Sequence, residues 1–525
     1  MARKRNTKLS DVVLVLAFGA SGVGCNSLTK LDSYKVAPAT TNTDAEAQCE
    51  SNAKCTDEAT AALGSDAPVA AVCVKGSGRC VQLLSEDCDA VTGDYLSDDA
   101  VVIGSLFSTK GAQAATNLQR QQSAMLAVTQ INAVGGVPSG SGSPRKLVLV
   151  SCDESTDLMR AGDHLVGQLE VPAIVGPNTS QDTLDLSGSV SVPGGTVVMS
   201  PTAVASSVGS LIDDDLTWLM VPTDVQRAPL MMSQINALET ELKASRALSS
   251  VKLGIVFRND ALGIGTRTSL NSLVLNGKAL SDATNLGNHV HINPYSIGTA
   301  DQMALVDEYL TFLPDIVVLA GTAEAITQVM VPLEAGWPSG AARPQYVLID
   351  SVKVPELIAA ATANDELRAR VRGTGITPSP TSASVYSAFK VDYQVAYPGS
   401  SIISGMGPAY DATYAIAFAL AAKKDEPVSG TAVKEGLRML AGGRTMIELG
   451  ATRVLSASQA LAEGDTIDAR GTFTSLSWSG DGTVLGGTIE VWCIAAPDGK
   501  PTYQSSGLTY DLMAGSQTGV FKPCQ

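Results

Sequence analysis

Short apolar strands alternate with amphipathic helices along residues 100–370. β-branched runs predict the strands, and apolar residues recurring every three or four positions predict the helices. The predicted strands are 101–104, 146–150, 171–175, 196–200, 251–257, 316–320 and 346–350, and the predicted helices are 121–132, 158–169, 265–276, 323–333 and 354–370. This alternation indicates βαβ units, and two such series predict an α/β chain with two doubly wound parallel-sheet lobes.

Two further alternating segments, 472–478 and 487–494, flank the Gly-containing turn 479–482. Alternation on both sides of a short turn predicts a β-hairpin. Trp478 and Trp492 fall in these segments, where we expect them to pack within a lobe.

The N-terminus has the pattern of an export signal. Basic residues lie among the first eight positions, an apolar run follows over residues 12–20, and small residues precede Cys25. This order predicts a signal peptide over residues 1–24 and resembles a bacterial lipoprotein signal with Cys25 as the lipidated residue. The alternative is an ordinary signal peptide whose cleavage happens to leave Cys25 near the new terminus. In both cases we expect an exported protein, and the lipoprotein interpretation predicts a membrane-anchored one that faces the periplasm or the cell surface.

The chain has nine cysteines, and eight remain once Cys25 is set aside. An even number in an exported chain predicts four disulfides among Cys49, Cys55, Cys73, Cys80, Cys88, Cys152, Cys493 and Cys524. Residues 49–95 hold five of them and form a small Cys-rich module, after a flexible tether over residues 25–48. We favour Cys88–Cys152, because both flank predicted core strands, and Cys493–Cys524 would then hold the C-terminal tail.

Charge and chemistry narrow the function classes. The formal net charge is −16. The sequence has no basic patch outside the leader, so we expect no nucleic-acid partner. His289 and His291 alternate on a predicted strand without a third ligand at useful spacing, so no metal site is predicted. The sequence shows no Gly-x-Ser-x-Gly motif and no complete dinucleotide fingerprint, so we expect neither an enzyme nor a cofactor.

Local motifs in a fixed order carry a resemblance to a known family. They are the opening strand 102–108, the helix end and turn 131–137, the loop 173–180, the Ser-Pro turn 198–201, the segment 253–265, the strand 314–318 and the Tyr-Asp-Ala segment 408–412. Together they resemble the type 1 periplasmic binding proteins. More narrowly, the chain is similar to the leucine/isoleucine/valine-binding-protein-like lipoproteins that bind substrate for ABC transporters.

The resemblance implies two lobes joined by a three-crossover hinge, with a ligand between them. Its domain boundaries are 99–222 and 382–470 for lobe 1, and 223–381 and 471–525 for lobe 2. Ser180 matches the residue whose hydroxyl binds an amino acid carboxylate, and Thr202 and Ala203 match the neighbouring ligand loop. Asp350 matches the acid that pairs with the ligand ammonium, although a helix cap or a solvated acid is an equal alternative.

Three positions depart from the family pattern. Thr116, Leu262 and Thr322 stand where the family has aromatic residues around its ligand. The ligand is therefore expected to be an amino acid or related amide, rather than specifically a branched-chain one. The expected partner is an ABC permease. The alternatives are a surface ligand-sensing receptor of the same fold, which the Cys-rich module favours, and an enzyme on an α/β scaffold.

Overall fold

The computed structural model describes residues 49–111, 114–298 and 301–524. The predicted leader, Cys25 and the tether lie outside the described residues. The strands are β1 Ala71–Val74, β2 Arg79–Gln82, β3 Cys88–Thr92, β4 Val101–Phe107, β5 Leu147–Asp153, β6 Ala173–Val175, β7 Val197–Ser200, β8 Thr217–Leu219, β9 Leu253–Arg258, β10 Val274–Leu275, β11 Lys278–Ala279, β12 Val290–Tyr295, β13 Ile316–Ala320, β14 Gln345–Leu348, β15 Val371–Thr377, β16 Thr445–Glu448, β17 Ile467–Arg470, β18 Thr488–Ala495, β19 Thr502–Asp511 and β20 Ser516–Thr518.

The helices alternate with these strands through most of the chain. They are α1 Asn52–Leu63, α2 Ala114–Ala133, α3 Leu158–Asp163, α4 Ser180–Leu186, α5 Asp224–Ser245, α6 Ala261–Ser269, α7 Asp301–Phe312, α8 Val331–Gly336, α9 Pro355–Ala363, α10 Asp365–Arg368, α11 Ala383–Ala396, α12 Met406–Ala422, α13 Gly430–Leu437 and α14 Val454–Ala462. π-helical turns extend α3 and α4 and precede α8.

Lobe 1 is built on a six-stranded sheet in the order β3-β5-β4-β6-β7-β8. All its neighbouring pairs are parallel except β3–β5. β5 is buried along its whole length, as expected for a central strand that helices cover on both faces. The Ala-rich helix α12 packs against α2 over one face of this sheet. Within the described part of the chain, no helix combines the length and apolarity needed to cross a bilayer.

Lobe 2 is built on an eight-stranded sheet in the order β12-β9-β13-β14-β15-β18-β19-β20. Its first five strands run parallel, and β18, β19 and β20 continue the sheet in antiparallel fashion. The two faces of this sheet have separate apolar cores, one under α5 and α6 and one under α7 to α9. The predicted α/β class with two doubly wound lobes is confirmed.

The Cys-rich region forms α1 and the hairpin β1–β2, which Cys49–Cys73 and Cys55–Cys80 cross-link. Cys88–Cys152 and Cys493–Cys524 form as well, which agrees with the two pairs favoured from the sequence. The boundary at residue 95 needs correction. β3 lies inside the predicted module, yet it pairs with β5 as an edge strand of the lobe 1 sheet.

Three segments connect the lobes, at residues 220–223, 378–382 and 485–487. The third lies later than the predicted boundary at residue 470, because Leu476, Trp478 and Val484 are buried in the lobe 1 core. The predicted hairpin is correspondingly wrong in its second strand. Trp478 bridges Val484, whereas β18, which carries Trp492, pairs with β15 and β19.

Two predicted helices also differ from the structure. The helix predicted over 265–276 begins earlier as α6, because the Asp260 side chain caps it at the Gly263 amide, and the hairpin β10–β11 takes its predicted end. The helix predicted over 354–370 divides into α9 and α10 at Asn364, whose extended backbone and capping side chain start a new helix.

Candidate functional site

A cavity of about 570 Å³ opens between the two lobes. Its lining includes residues one or two positions after parallel strands: Ser108 after β4, Thr202 after β7, Thr322 after β13 and Asp350 after β14. In open α/β sheets, ligands bind beyond the carboxyl ends of the strands, where loops are free to vary while the sheet stays rigid. Because both lobes place their strand ends at this cavity, it is the candidate ligand site.

Ser180 lies at the start of α4, lines the cavity and is almost fully buried. Its Oγ accepts hydrogen bonds from the amides of Val204 at 3.0 Å and Ala205 at 3.1 Å, which ties two loops of lobe 1 together. A hydroxyl that accepts two bonds still has one hydrogen to donate. Ser180 can therefore present a donor to a carboxylate, as its predicted role requires.

The two residues predicted on the neighbouring loop differ. Thr202 lines the cavity, and its Oγ1 lies 2.7 Å from Asn178 Oδ1 on the adjacent loop. Ala203 does not reach the cavity. It is 1% exposed, packs against Val208 and Leu219, and donates its amide to Ser200 Oγ. Ala203 is therefore not among the residues that line the cavity, and its ligand contact stays a prediction.

Asp350 stands on a 3₁₀ turn just beyond β14, so the strand predicted to end at this residue ends two positions earlier, at Leu348. Its side chain lines the cavity, and Oδ2 accepts a hydrogen bond of 3.3 Å from the hydroxyl of Ser404. Ser404 belongs to lobe 1, so this bond crosses the cleft. The remaining lone pairs of the carboxylate stay available to a cation.

The three non-aromatic positions also meet at this cavity. Thr116 on α2, Leu262 on α6 and Thr322 after β13 all line it. Thr322 accepts a bond from Arg258 Nη1 at 3.2 Å. No ring closes over the ligand at these three positions, so polar contacts must supply more of its affinity and specificity.

Sequence reasoning missed two arginines in the lining, one on each lobe. Arg120 on α2 donates from Nε to the Ser404 carbonyl at 2.9 Å and from Nη1 to Asn117 Oδ1 at 2.8 Å. Arg227 on α5 donates from Nε to the Pro222 carbonyl at 2.8 Å. Arg120 falls one residue before the predicted start of its helix, and a lone Arg on a helix usually faces solvent, so neither carried a usable signal.

Burial acts on both guanidinium groups. It lowers the pKa of Arg120 to about 10, against the opposing attraction of Asp350 and Glu154. It also lowers the pKa of Arg227, against Asp350 and Asp224. Both arginines are half-buried by accessible area, so their charges are partly withdrawn from water, which disfavours an unneutralised charge.

The other cations of the cavity have acidic partners. Lys110 lies 4.0 Å from Asp153, and Lys353 lies 3.6 Å from Glu490. Arg258 pairs with Asp260 and Glu324. Among the residues that the structure describes, no acid comes within 4.0 Å of the Arg120 or Arg227 nitrogens. Within the same residues, no His, Cys and carboxylate cluster suits a metal ion.

Glu154 precedes Ser155 and contacts Ser108, two residues that line the cavity. It is almost fully buried, its Oε1 accepts from Ser108 Oγ at 3.0 Å, and its Oε2 has no hydrogen-bond partner among the described residues. Burial, together with the nearby charge of Asp182, raises the pKa of Glu154 to about 8. The side chain is therefore mostly neutral at pH 7 and contributes little negative charge to this part of the cleft.

Replacing Glu154 with Gln should make the unfolding free energy less dependent on pH. The pKa of Glu154 is higher in the folded protein than in the unfolded chain. At a pH between these two values, the unfolded chain has lost the Glu154 proton and the folded protein retains it. Stability therefore falls as the pH rises from about 5 to 8, by at most about 1.4 kcal/mol per pH unit for one group. Urea unfolding at several pH values measures this slope, with the exposed Glu366→Gln as control. An unchanged slope in Glu154→Gln would show that the folded carboxyl ionises normally.

Proteins of known structure share this architecture. No protein-family model matches the chain, and no curated protein matches it by sequence. Solved structures do match. The isoleucine complex of the branched-chain amino acid transporter substrate binding protein LivJ from Streptococcus pneumoniae has a TM-score of 0.56 and 17% identity, over 77% of this chain and 99% of that one.

Two other solved structures agree with that match. A leucine binding protein, LivK, from Thermotoga maritima gives a TM-score of 0.56 and 15% identity, over 77% of this chain and 98% of that one. A solute binding protein of an ABC transporter from R. palustris, in complex with benzoate, gives 0.55 and 12%, over 81% and 99%. At these identities the likeness concerns the fold alone. The chain has the type 1 periplasmic binding protein fold, as the sequence predicted.

Proposed function

We propose that this chain is an extracytoplasmic solute-binding protein. It captures a small polar ligand, an amino acid or related amide, between its two lobes and delivers it to an ABC importer. The observation that carries the proposal is the cavity between the lobes, which the strand ends of both sheets line. A ligand bound there touches both lobes and so favours their closed arrangement.

Export and anchoring form the second part of the proposal. Four disulfides support an oxidising compartment, because such bonds persist mainly outside the cytoplasm. The leader pattern before Cys25 supports a lipid on that residue.

In cells labelled with a fatty acid, the full chain should incorporate the label and Cys25→Ser should not. Equal labelling of both would exclude Cys25 as the anchor.

The Cys-rich region favours a second candidate, a ligand-sensing receptor of the same fold that is not coupled to transport. Val72, Val74 and Leu83 share an apolar core with Leu165 of lobe 1, so the added module is fixed to that lobe. A rigid extra surface of this kind suits a protein partner. Ligand uptake by cells that lack this chain would separate the two functions, since only the importer proposal requires uptake to fall.

Thermal unfolding of the full chain in detergent tests the binding function. Amino acids, amides, small peptides and organic acids form the panel. A ligand that binds the folded state adds about 3 to 4 kcal/mol of stability at 100 to 1,000 times its Kd. Thr202→Trp, which fills the cavity, should abolish the shift, whereas Thr240→Trp on the exposed face of α5 should retain it. An absence of any shift across the panel would contradict the proposed function.

A further inference from the structure

Among the described residues that line the cleft, the charged groups without an ion-pair partner are, apart from Asp224, two guanidinium groups and one carboxylate. Arg120 uses Nε and Nη1 in bonds to the protein and keeps Nη2 unbonded, and Arg227 uses Nε alone. Asp350 receives one hydroxyl bond and attracts both arginines electrostatically, yet it lies beyond ion-pair distance of each. These three groups come from both lobes and line one cavity.

The other acid in the lining, Asp224, attracts Arg227 electrostatically but lies beyond ion-pair distance of it. It is the first residue of α5, and its Oδ1 accepts from the amides of Ser206 at 3.2 Å and Val225 at 2.6 Å. These amides and the positive end of the helix offset its charge. Its Oδ2 faces the backbone of Gly265, where a Cβ would lie 2.0 Å away, so it is held by packing. We therefore assign the Asp224 carboxylate to the N-terminal end of α5 rather than to ligand binding.

Withdrawing a guanidinium group from water without a counter-ion raises the free energy of the protein. A bound carboxylate supplies the counter-ion and offsets this desolvation cost. The planar fork of Arg matches the two oxygens of a carboxylate. Arg227 has both terminal nitrogens unbonded, so it can accept a carboxylate in the bidentate manner. Arg120 lies on lobe 1, the lobe that also carries Ser180 and Thr202.

We propose, on the basis of the proposed function above, that the ligand is an amino acid with an acidic side chain. Its α-carboxylate binds lobe 1 at Arg120 and Ser180, its ammonium binds Asp350, and its second carboxylate binds Arg227. This ligand supplies one partner to each unpaired charge. A neutral amino acid leaves Arg227 without an anion, and a dicarboxylate that lacks an amine leaves Asp350 without a cation.

Calorimetric titration of the full chain in detergent tests this assignment with L-glutamate, L-aspartate, L-glutamine, L-leucine and glutarate. Glutamate and glutamine have nearly the same shape but differ in charge. The ratio of their affinities therefore measures how much the second carboxylate contributes to binding. We expect glutamate or aspartate to bind tightest, with a preference for glutamate over glutamine of about 30-fold or more. Arg227→Met should reduce that ratio to less than about threefold. Arg267→Met, which removes a positive charge from α6 outside the cavity, should retain it.

Each other outcome overturns the assignment. Glutamine or leucine binding as tightly as glutamate would exclude an acidic side chain while leaving the solute-binding function in place. Glutarate binding as tightly as glutamate would exclude the role of the ammonium. An undiminished ratio in Arg227→Met, with an unchanged melting temperature, would remove Arg227 from the site. If none of the five ligands binds, the acidic amino acid is excluded, and only a negative result across the wider thermal panel would also remove the proposed function.

Discussion

Replacing Asp350 with Ala is expected to weaken the binding of an amino acid ligand by about 30-fold to 1,000-fold, because it removes the partner of a desolvated ammonium. Asp350 lines the cavity just beyond β14, where its carboxylate accepts a hydrogen bond from Ser404 across the cleft. Asp350→Asn keeps the shape of the side chain but loses its charge, so its effect should be nearly as large. Titration calorimetry measures both variants, and the exposed Asp425→Ala serves as control.

The effect of Asp350→Ala on other ligands makes this prediction specific. The substitution also removes the negative charge that acts on Arg120 and Arg227, so a carboxylic acid without an amine should bind the variant as well as the parent, or more tightly. An equal loss of affinity for glutarate and for an amino acid would contradict the ammonium role. It would instead indicate that Asp350 supports the geometry of the cleft through Ser404.

Replacing Glu334 with Ala should lower the unfolding free energy by about 3 to 5 kcal/mol, because it leaves two arginines without their shared counter-ion. Glu334 on α8 is almost fully buried, and its Oε2 lies 2.8 Å from Arg343 Nη1 and 2.6 Å from Arg370 Nη2. The hydroxyl of Tyr346 donates to its Oε1 at 2.9 Å. The Glu334 carboxylate therefore joins β14 to the segment that enters β15.

An ion pair exposed on both sides supplies the control for Glu334. Lys75 and Asp99 are 71% and 57% exposed and lie 3.7 Å apart, so Asp99→Ala should cost less than about 1 kcal/mol. Urea unfolding followed by far-ultraviolet circular dichroism measures both variants. A loss of less than 1 kcal/mol for Glu334→Ala would show that water enters the cluster and solvates the two arginines.

The sequence predicted the sheets better than the helix ends. Buried parallel strands such as β4 and β5 are continuous apolar runs, and such runs are visible without tertiary information. The division at Asn364 depends on a polar side chain turning back to cap a helix, which competes with an otherwise favourable helical pattern. The sequence places the third crossover too early, because apolar and polar residues alternate around Trp478 as they do in a strand. This segment packs in the lobe 1 core.

The candidate site was predictable where it depends on topology. Ser180, Thr202 and Asp350 lie near strand ends, and the carboxyl ends of parallel strands meet at one edge of each sheet. Arg120 and Arg227 lie on helices from different lobes, so only the packing of the two lobes against each other brings them to one cavity. No periodicity within either helix distinguishes such a residue from one that faces solvent.

A crystal structure grown with the tightest ligand of the panel tests most directly whether the cleft between the lobes is the ligand site. We expect the ligand inside the cavity, in contact with Thr202 of lobe 1 and with Asp350 and Arg227 of lobe 2. A ligand bound elsewhere, or in contact with one lobe alone, would contradict this expectation.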